Sequence, residues 1–273
     1  MDKVTPAEAR YIVNAVRNHS GVDLSGFAMS NLRLVLGQFI RTKGIQYTDI
    51  LISRLLDYPD QLEELVSFLE QPDLEMFRDP EFWQLMKETL LPRMISRFDP
   101  LKIWLPYNST GEELYSLLIL FHEMASPVRM EIISGNVSTI RQQSIMGGVL
   151  GNRKYQISRM NYETAGGKND FADYFTEADS QYRLKLPGLQ DVTFRIHPMI
   201  PDNSDEQFHI ILIRNRLLMF NQEIKEKILQ QLASALDKRG LLILGYRENL
   251  SNCNSPLFPS DEYMNEQIYK LKE

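Results

Sequence analysis

The spacing of apolar residues changes near residue 100, and this change restricts the possible folds more than any other feature of the chain. Before it, apolar residues recur at the three- and four-residue spacing of amphipathic helices, which predicts a helical bundle. Thr5 is the predicted N-cap of the first helix, with Pro6 at its first position. Further helices are predicted over residues 25–42, 47–56, 59–69 and 82–91, the last ending before Pro92.

From Lys102 onward, short apolar runs alternate with helical segments. Strands are predicted over 102–105, 128–134, 208–213 and 241–245, and helices over 112–124, 139–146 and 221–238. This alternation is typical of a parallel sheet with helices on its faces, whose ligands bind beyond the carboxyl ends of the strands. Residues 182–186 and 192–196 alternate apolar and polar side chains on either side of Pro187-Gly188, which predicts an inserted antiparallel hairpin.

Length and charge exclude several classes of protein. A chain of 273 residues with 43% hydrophobic residues is long enough for two domains with cores of their own. The net charge of −6 argues against a nucleic-acid binder. The single cysteine, Cys253, cannot form an intramolecular disulfide, and no apolar run is long enough to span a bilayer. We therefore expect a cytoplasmic protein that is not inserted in a membrane.

Three stretches of the sequence resemble the motifs of one enzyme family. The first reads Met-Phe-Arg-Asp-Pro-Glu-Phe-Trp over residues 76–83, and the second reads Ser-Thr-Gly-Glu-Glu-Leu-Tyr-Ser over 109–116. The third covers 208–220 with Arg214-Asn215, followed by Gly-Leu-Leu-Ile-Leu-Gly at 240–245. In order and spacing they resemble the CheR-type methyltransferases, along nearly the whole chain.

The resemblance implies an α/β fold class with three parts. These are an N-terminal helical bundle over 1–92, a Rossmann-like S-adenosylmethionine methyltransferase domain over 93–273, and a small antiparallel β-subdomain inserted at about 171–200. It implies S-adenosylmethionine as the cofactor. It also implies, as partner and substrate, the cytoplasmic domain of a bacterial chemoreceptor or a related signalling protein, methylated on glutamates.

Two positions at predicted strand ends depart from the family pattern. Where the family has small residues after the first strand, this chain has Leu-Pro-Tyr-Asn at 105–108, and Tyr107 either fills the cofactor pocket or turns away from it. Where the family has Thr-Asp after the second strand, this chain has Gly135-Asn136. Asn136 keeps a hydrogen-bond acceptor but loses the charge, which weakens a bond to a ribose hydroxyl.

Other family positions divide into lost and retained groups. Two polar residues of the helical domain are replaced by Pro72 and Leu74, a small apolar residue by Arg216, and a tyrosine by Met219. The retained residues keep the roles that the resemblance implies: Arg78 near the methyl-transfer centre, and Glu113 and Asn215 at the cofactor. Glu113 also suits the start of a helix, and Arg78 a surface position, without any catalytic role.

The resemblance also implies a basic helix for receptor docking. The corresponding stretch here retains Arg33, Arg41 and Lys43, although an ordinary solvated helix face explains three cations equally well. The chain lacks the glycine-rich connection of members that bind a receptor's tail peptide, so tail binding is only a weak hypothesis. The four histidines show no metal-ligand spacing, and no phosphate-binding loop is present.

Three functional hypotheses follow. The first is a CheR-family protein with a degenerate S-adenosylmethionine pocket, acting through protein binding with weak or absent methyl transfer. The second is an active protein-glutamate O-methyltransferase in which Asn136 weakly replaces the aspartate. The third is a regulatory module that binds another small molecule. An open cleft beside Asn136 and Asn215 favours the last two, whereas a cleft filled by Tyr107 and Leu74 favours the first.

Overall fold

The computed structural model describes residues 4–20, 22–69, 74–108, 110–124, 129–136, 139–197, 206–259 and 266–272. Its N-terminal part is the predicted helical bundle. The first helix begins with a capping box, in which Glu8 N–H donates to Thr5 Oγ1 (3.2 Å) and Thr5 N–H donates to Glu8 Oε2 (2.8 Å). The bundle helices are α1 (Pro6–Ser20), α2 (Met29–Thr42), α3 (Thr48–Asp57) and α4 (Pro59–Leu69).

A further helix runs past Pro92, so the prediction that it ends there is wrong. It consists of α5 (Pro80–Leu85), a π-helical turn (Met86–Leu90) and α6 (Leu91–Ile95). A proline inside an α-helix lacks the N–H donor and clashes with the carbonyl four residues earlier. The wider π-helical turn directly before Pro92 relieves this clash, so the helix continues.

A large sheet forms the centre of the second part. Its strands are β1 (Leu101–Leu105), β2 (Met130–Asn136), β6 (Thr193–Ile196), β7 (Phe208–Ile213), β8 (Leu236–Leu244), β9 (Leu257–Pro259) and β10 (Ile268–Leu271). Across the sheet the order is β6-β2-β1-β7-β8-β10-β9. From β6 to β8 neighbouring strands are parallel, and β10 is antiparallel to both its neighbours. The predicted α/β class with a mainly parallel sheet is confirmed.

A smaller sheet is inserted after β2. It comprises β3 (Val149–Gly151), β4 (Phe175–Ala178) and β5 (Gln181–Leu184) in the antiparallel order β3-β5-β4. Asp179 and Ser180 join β4 to β5, and their positive φ angles of 50° and 59° are those of a two-residue hairpin turn. An inserted antiparallel β-subdomain is therefore present, and it begins earlier in the chain than the expected residue 171.

The predicted pairing of 182–186 with 192–196 is wrong. β5 pairs with β3 and β4, whereas β6 joins the large sheet parallel to β2. Alternating side chains indicate that a segment is extended and has two unlike faces, but they do not identify the neighbouring strand.

Helices cover both faces of the large sheet. α7 (Glu112–Met124) and α8 (Thr139–Gly147) match predicted helices closely, and α9 (Asn152–Thr164) was not predicted. α10 (Gln222–Ser234) ends before the predicted residue 238, because β8 already begins at Leu236. The bundle and α10 pack on one face, while the helix over 80–95, α7 and α9 pack on the other. Among the described residues, no helix is long and apolar enough to cross a membrane.

Candidate functional site

The strand order locates the candidate site. From β1 the chain continues to β2 on one side and later returns through β7 on the other, so the order of strands reverses at β1. In open parallel sheets, ligands bind beyond the carboxyl ends of the strands at this point of reversal. The segments that leave β1, β2 and β7 there carry Tyr107, Asn136 and Asn215, three of the predicted site residues.

Tyr107 lies inside the protein. Its side chain is only 6% exposed and belongs to the apolar cluster that joins the helical bundle to the sheet. The ring centroid is 5.5 Å from that of Phe220 and 5.5 Å from that of His197. His197 also hydrogen-bonds to the Pro106 carbonyl, which fixes the backbone of the same loop. The ring therefore does not turn to solvent, which was the alternative left open by the sequence.

Asn136 connects the ends of β2 and β1. Its Nδ2 donates to the Asn108 carbonyl, and Asn108 N–H donates to the Gly135 carbonyl (3.0 Å). Asn108 Nδ2 also donates to Ser134 Oγ (2.9 Å), and Asn108 Oδ1 accepts from Gly111 N–H (3.1 Å). Both asparagines are buried. The Nδ2 group of Asn136 thus joins two loops, while its Oδ1, the acceptor expected to face a ribose, has no hydrogen-bond partner.

Arg214 holds the end of β7 against the segment that precedes α5. Its guanidinium is 1% exposed, forms an ion pair with Asp79 (Nη2–Oδ2, 2.6 Å) and lies 4.1 Å above the ring of Phe82. Nη1 is 3.7 Å from Glu113 Oε1 at the start of α7. A buried arginine with these partners fixes three elements relative to one another.

Asn215 has a left-handed backbone, with φ of +57°. Glu248 stabilises this turn, because its Oε2 accepts from Asn215 N–H (2.7 Å) and Gly245 N–H (2.8 Å) and its Oε1 from Leu217 N–H (2.7 Å). Burial raises the pKa of Glu248, while these backbone donors act to lower it. The sequence analysis did not single out Glu248.

Arg78 projects from a strained loop. Its neighbours Phe77 and Asp79 both have positive φ angles, 53° and 56°, which non-glycine residues adopt only when the surroundings impose them. Here Phe77 N–H donates to Ser116 Oγ (2.8 Å), and Arg214 Nη1 donates to the Arg78 carbonyl (3.2 Å). The Arg78 side chain is half-exposed, with Nη1 4.0 Å from the nearby Glu75 carboxylate.

Glu113 belongs to a buried charge cluster. Burial raises its pKa to about 7, although the cationic groups of Arg214 and Arg216 act to lower it. Arg216 is 2% exposed and is one of the largest fully buried side chains of the protein. A large cation therefore occupies the interior where the family has a small apolar residue. The sequence marked this position as changed, but its burial could not be predicted.

The buried polar atoms at the strand ends test whether S-adenosylmethionine fits here. Within the part of the chain that the structure describes, those without a hydrogen-bond partner include Asn136 Oδ1, Thr110 Oγ1 and Asn215 Nδ2. The hydroxyl and amino acid groups of the cofactor could satisfy such atoms, so the chemistry of the donors and acceptors fits. However, all three atoms are closed off from solvent, and the side chains of Tyr107 and Leu74 are both buried. A cofactor could reach these three atoms only if the surrounding side chains moved.

The three predicted docking cations have different surroundings. Arg33 Nε donates to the Val4 carbonyl (2.7 Å), and Lys43 Nζ pairs with Glu64 Oε2 (2.7 Å). Arg41 is exposed on α2. Two of the three cations thus have partners within the bundle, and the ion pair of Lys43 reduces the basic character of this surface. Pro72 lies outside the described residues, and Met219 is buried in the core.

Comparisons with known proteins agree with the geometry. Residues 73–262 match the profile described as the SAM binding domain of the CheR methyltransferases. A protein named Cher3 from Pseudomonas putida is 26% identical over 249 residues, which cover 91% of each chain. The chemotaxis protein methyltransferase of Listeria monocytogenes is 24% identical and covers 89% of this chain and 90% of its own. Chemotaxis protein methyltransferase 1 of Vibrio cholerae is 27% identical over 72% of this chain and 71% of its own.

Proposed function

The chain belongs to the CheR methyltransferase family, and from this premise we propose that it acts in chemosensory signalling by binding a protein partner, with weak or absent methyl transfer. The observation that carries the proposal is the burial of Tyr107, which stands where the family has a small residue. Tyr107 is buried in the core, and the Asn136 amide is bound to the neighbouring loop. A cofactor bound at this position would have to displace Tyr107, whereas Asn136 Oδ1 is still without a hydrogen-bond partner.

The energetic cost of that displacement supports the proposal. A buried aromatic side chain contributes about 3–5 kcal/mol to stability, judged from its removal. Exposing Tyr107 costs a comparable free energy, which binding of the cofactor would have to supply. Each 1.4 kcal/mol lowers affinity about tenfold, so even the lower figure reduces affinity about a hundredfold. The missing aspartate charge at Asn136 weakens binding further.

The rest of the fold supports a role in protein binding. The buried Arg214, the Glu248 carboxylate and the strained loop of Arg78 keep the frame of the family site intact. We infer that the frame presents a surface to the cytoplasmic domain of a chemoreceptor or a related signalling protein, within the cytoplasm. Relatives named as chemotaxis protein methyltransferases support this class of partner.

An active protein-glutamate O-methyltransferase is the second candidate. The unpartnered atoms Asn136 Oδ1, Thr110 Oγ1 and Asn215 Nδ2 favour it, because buried polar atoms without partners are uncommon and a polar ligand would satisfy them. Arg78, half-exposed on a rigid loop, would then orient the substrate carboxylate. The same three atoms also favour the third possibility, a module that binds a different polar molecule.

Calorimetric titration with S-adenosylhomocysteine tests the proposal. We expect no measurable heat at micromolar ligand, together with capture of receptor cytoplasmic domains in a pull-down. Micromolar binding would overturn the closed-pocket proposal and favour the active enzyme. No ligand heat combined with no capture of any receptor domain would overturn the protein-binding role.

A further inference from the structure

A second cleft lies beside the candidate site. Its volume is about 160 Å³, it opens to solvent, and it separates the start of α10 from the loop that follows β8. Glu248 lines this cleft, and its carboxylate accepts hydrogen bonds from the backbone N–H groups of Asn215 and Leu217. The cleft therefore shares a rigid wall with the candidate site. The residues that line it include Leu217, Leu218, Lys225, Arg247, Asn249 and Asn252.

The cleft carries two cations that the protein does not neutralise. Among the described residues, the side chains of Lys225 and Arg247 have no acidic partner. The carboxylate in the wall, Glu248, is buried and directed at backbone N–H groups. The nearest acid on α10, Glu226, accepts hydrogen bonds from Gln222 Nε2 (2.8 Å). The cleft therefore presents cationic and amide donors to a negatively charged group.

Exposed apolar side chains beside the cleft favour a protein ligand over a small anion. Leu218 in the wall is 50% exposed, and Tyr246, which precedes Arg247, is 68% exposed. Tyrosine and arginine, which stand side by side here, are two of the residue types enriched in protein-binding hot spots. A small inorganic anion would leave Leu218 and Tyr246 uncovered.

We propose that this cleft docks an acidic segment of the protein partner. A carboxylate of that segment binds between Lys225 and Arg247, and its apolar side chains cover Leu218 and Tyr246. This inference rests on the proposed protein-binding function and adds to it a site outside the helical bundle. A segment bound here lies at the same edge of the sheet as Arg78 and Asn215.

Fluorescence anisotropy with the full-length chain tests this site. The probe is a fluorescein-labelled helical peptide of glutamate, alanine and leucine, and its counterpart has glutamine in place of glutamate. We expect the acidic probe to bind and the glutamine probe to bind at least about tenfold more weakly. The double variant K225E/R247E is expected to weaken binding of the acidic probe by about tenfold or more, with the largest loss at low salt.

Two control variants distinguish binding in this cleft from binding elsewhere on the protein. Lys227→Glu introduces the same charge change on α10 outside the cleft, because Lys227 is paired with Glu223 and does not line it. We expect this variant to bind the acidic probe like the wild type. Arg41→Glu tests docking on the helical bundle. The cleft proposal would be overturned by any of three results. These are that K225E/R247E binds the acidic probe as tightly as the wild type, that the wild type does not bind the probe, or that only R41E loses binding. None of these results depends on whether S-adenosylhomocysteine binds, which is measured separately by calorimetry.

Discussion

Replacing Tyr107 by alanine should loosen the fold and open the cofactor site at the same time. The side chain is 6% exposed and contacts two rings, so its loss should lower the free energy of unfolding by about 3–5 kcal/mol. In the wild type, a ligand that must displace Tyr107 loses a comparable free energy. At about 3 kcal/mol, removing that cost raises the affinity for S-adenosylhomocysteine about a hundredfold.

The assay pairs urea denaturation with calorimetry on the same preparations. Trp104→Ala is the matched control, because Trp104 lies three residues earlier in the same apolar cluster and stacks on Phe208 at 5.0 Å. It should lose similar stability without gaining affinity. If Tyr107→Ala and Trp104→Ala lose similar stability and neither gains affinity, Tyr107 is only a core residue and the closed-site reasoning is refuted. Unfolding curves also show whether each variant is folded at the titration temperature.

Three further predictions concern the buried charges. Arg214→Met should lower the unfolding free energy by about 3 kcal/mol, because it removes the cation that pairs with Asp79 and Glu113. The control is Arg239→Met at an exposed position, which should lower the unfolding free energy by less than about 1 kcal/mol. Urea denaturation measures both variants. The raised pKa of Glu113 means that the folded state holds its proton more tightly, so stability should fall as the pH rises from about 4.5 to about 7. In Glu113→Gln, the difference in unfolding free energy between about pH 5 and about pH 8 should be smaller than in the wild type, and an unchanged difference would contradict this assignment. Glu248→Gln should destabilise by about 2 kcal/mol, since an amide cannot accept from all three backbone donors, and chemical denaturation measures the loss.

Much of the fold could be predicted because its signals are local. Periodicity placed β7 at 208–213 and α7 at 112–124, where the structure has them, since each element buries one face against a continuous core. Pairing between distant segments could not be predicted in this way. The segment 193–196 carries the same alternating pattern whether it forms a hairpin or, as observed, a parallel edge strand beside β2. The expected domain division at residue 92 stays a prediction.

The site divides in a similar way. Tyr107, Asn136 and Asn215 could be assigned to one region, because parallel strands bring their carboxyl ends to one edge of the sheet. What these side chains contact could not be predicted. The bond from Asn136 to the Asn108 carbonyl depends on the relative heights of two loops. The burial of Arg216 depends on space between elements that are distant in sequence.

The residues of the site fall into two groups that differ in backbone strain. Left-handed residues such as Phe77, Asp79 and Asn215 are unfavourable and persist only where the surroundings impose them. Tyr107 and Asn136, by contrast, contribute to the stability of the fold, Tyr107 through packing and Asn136 through a hydrogen bond. A protein that needed neither cofactor nor partner would gain stability by relaxing the strained turns as well. Strained turns beside a pocket that we propose to be closed are expected if the frame positions a surface for another protein.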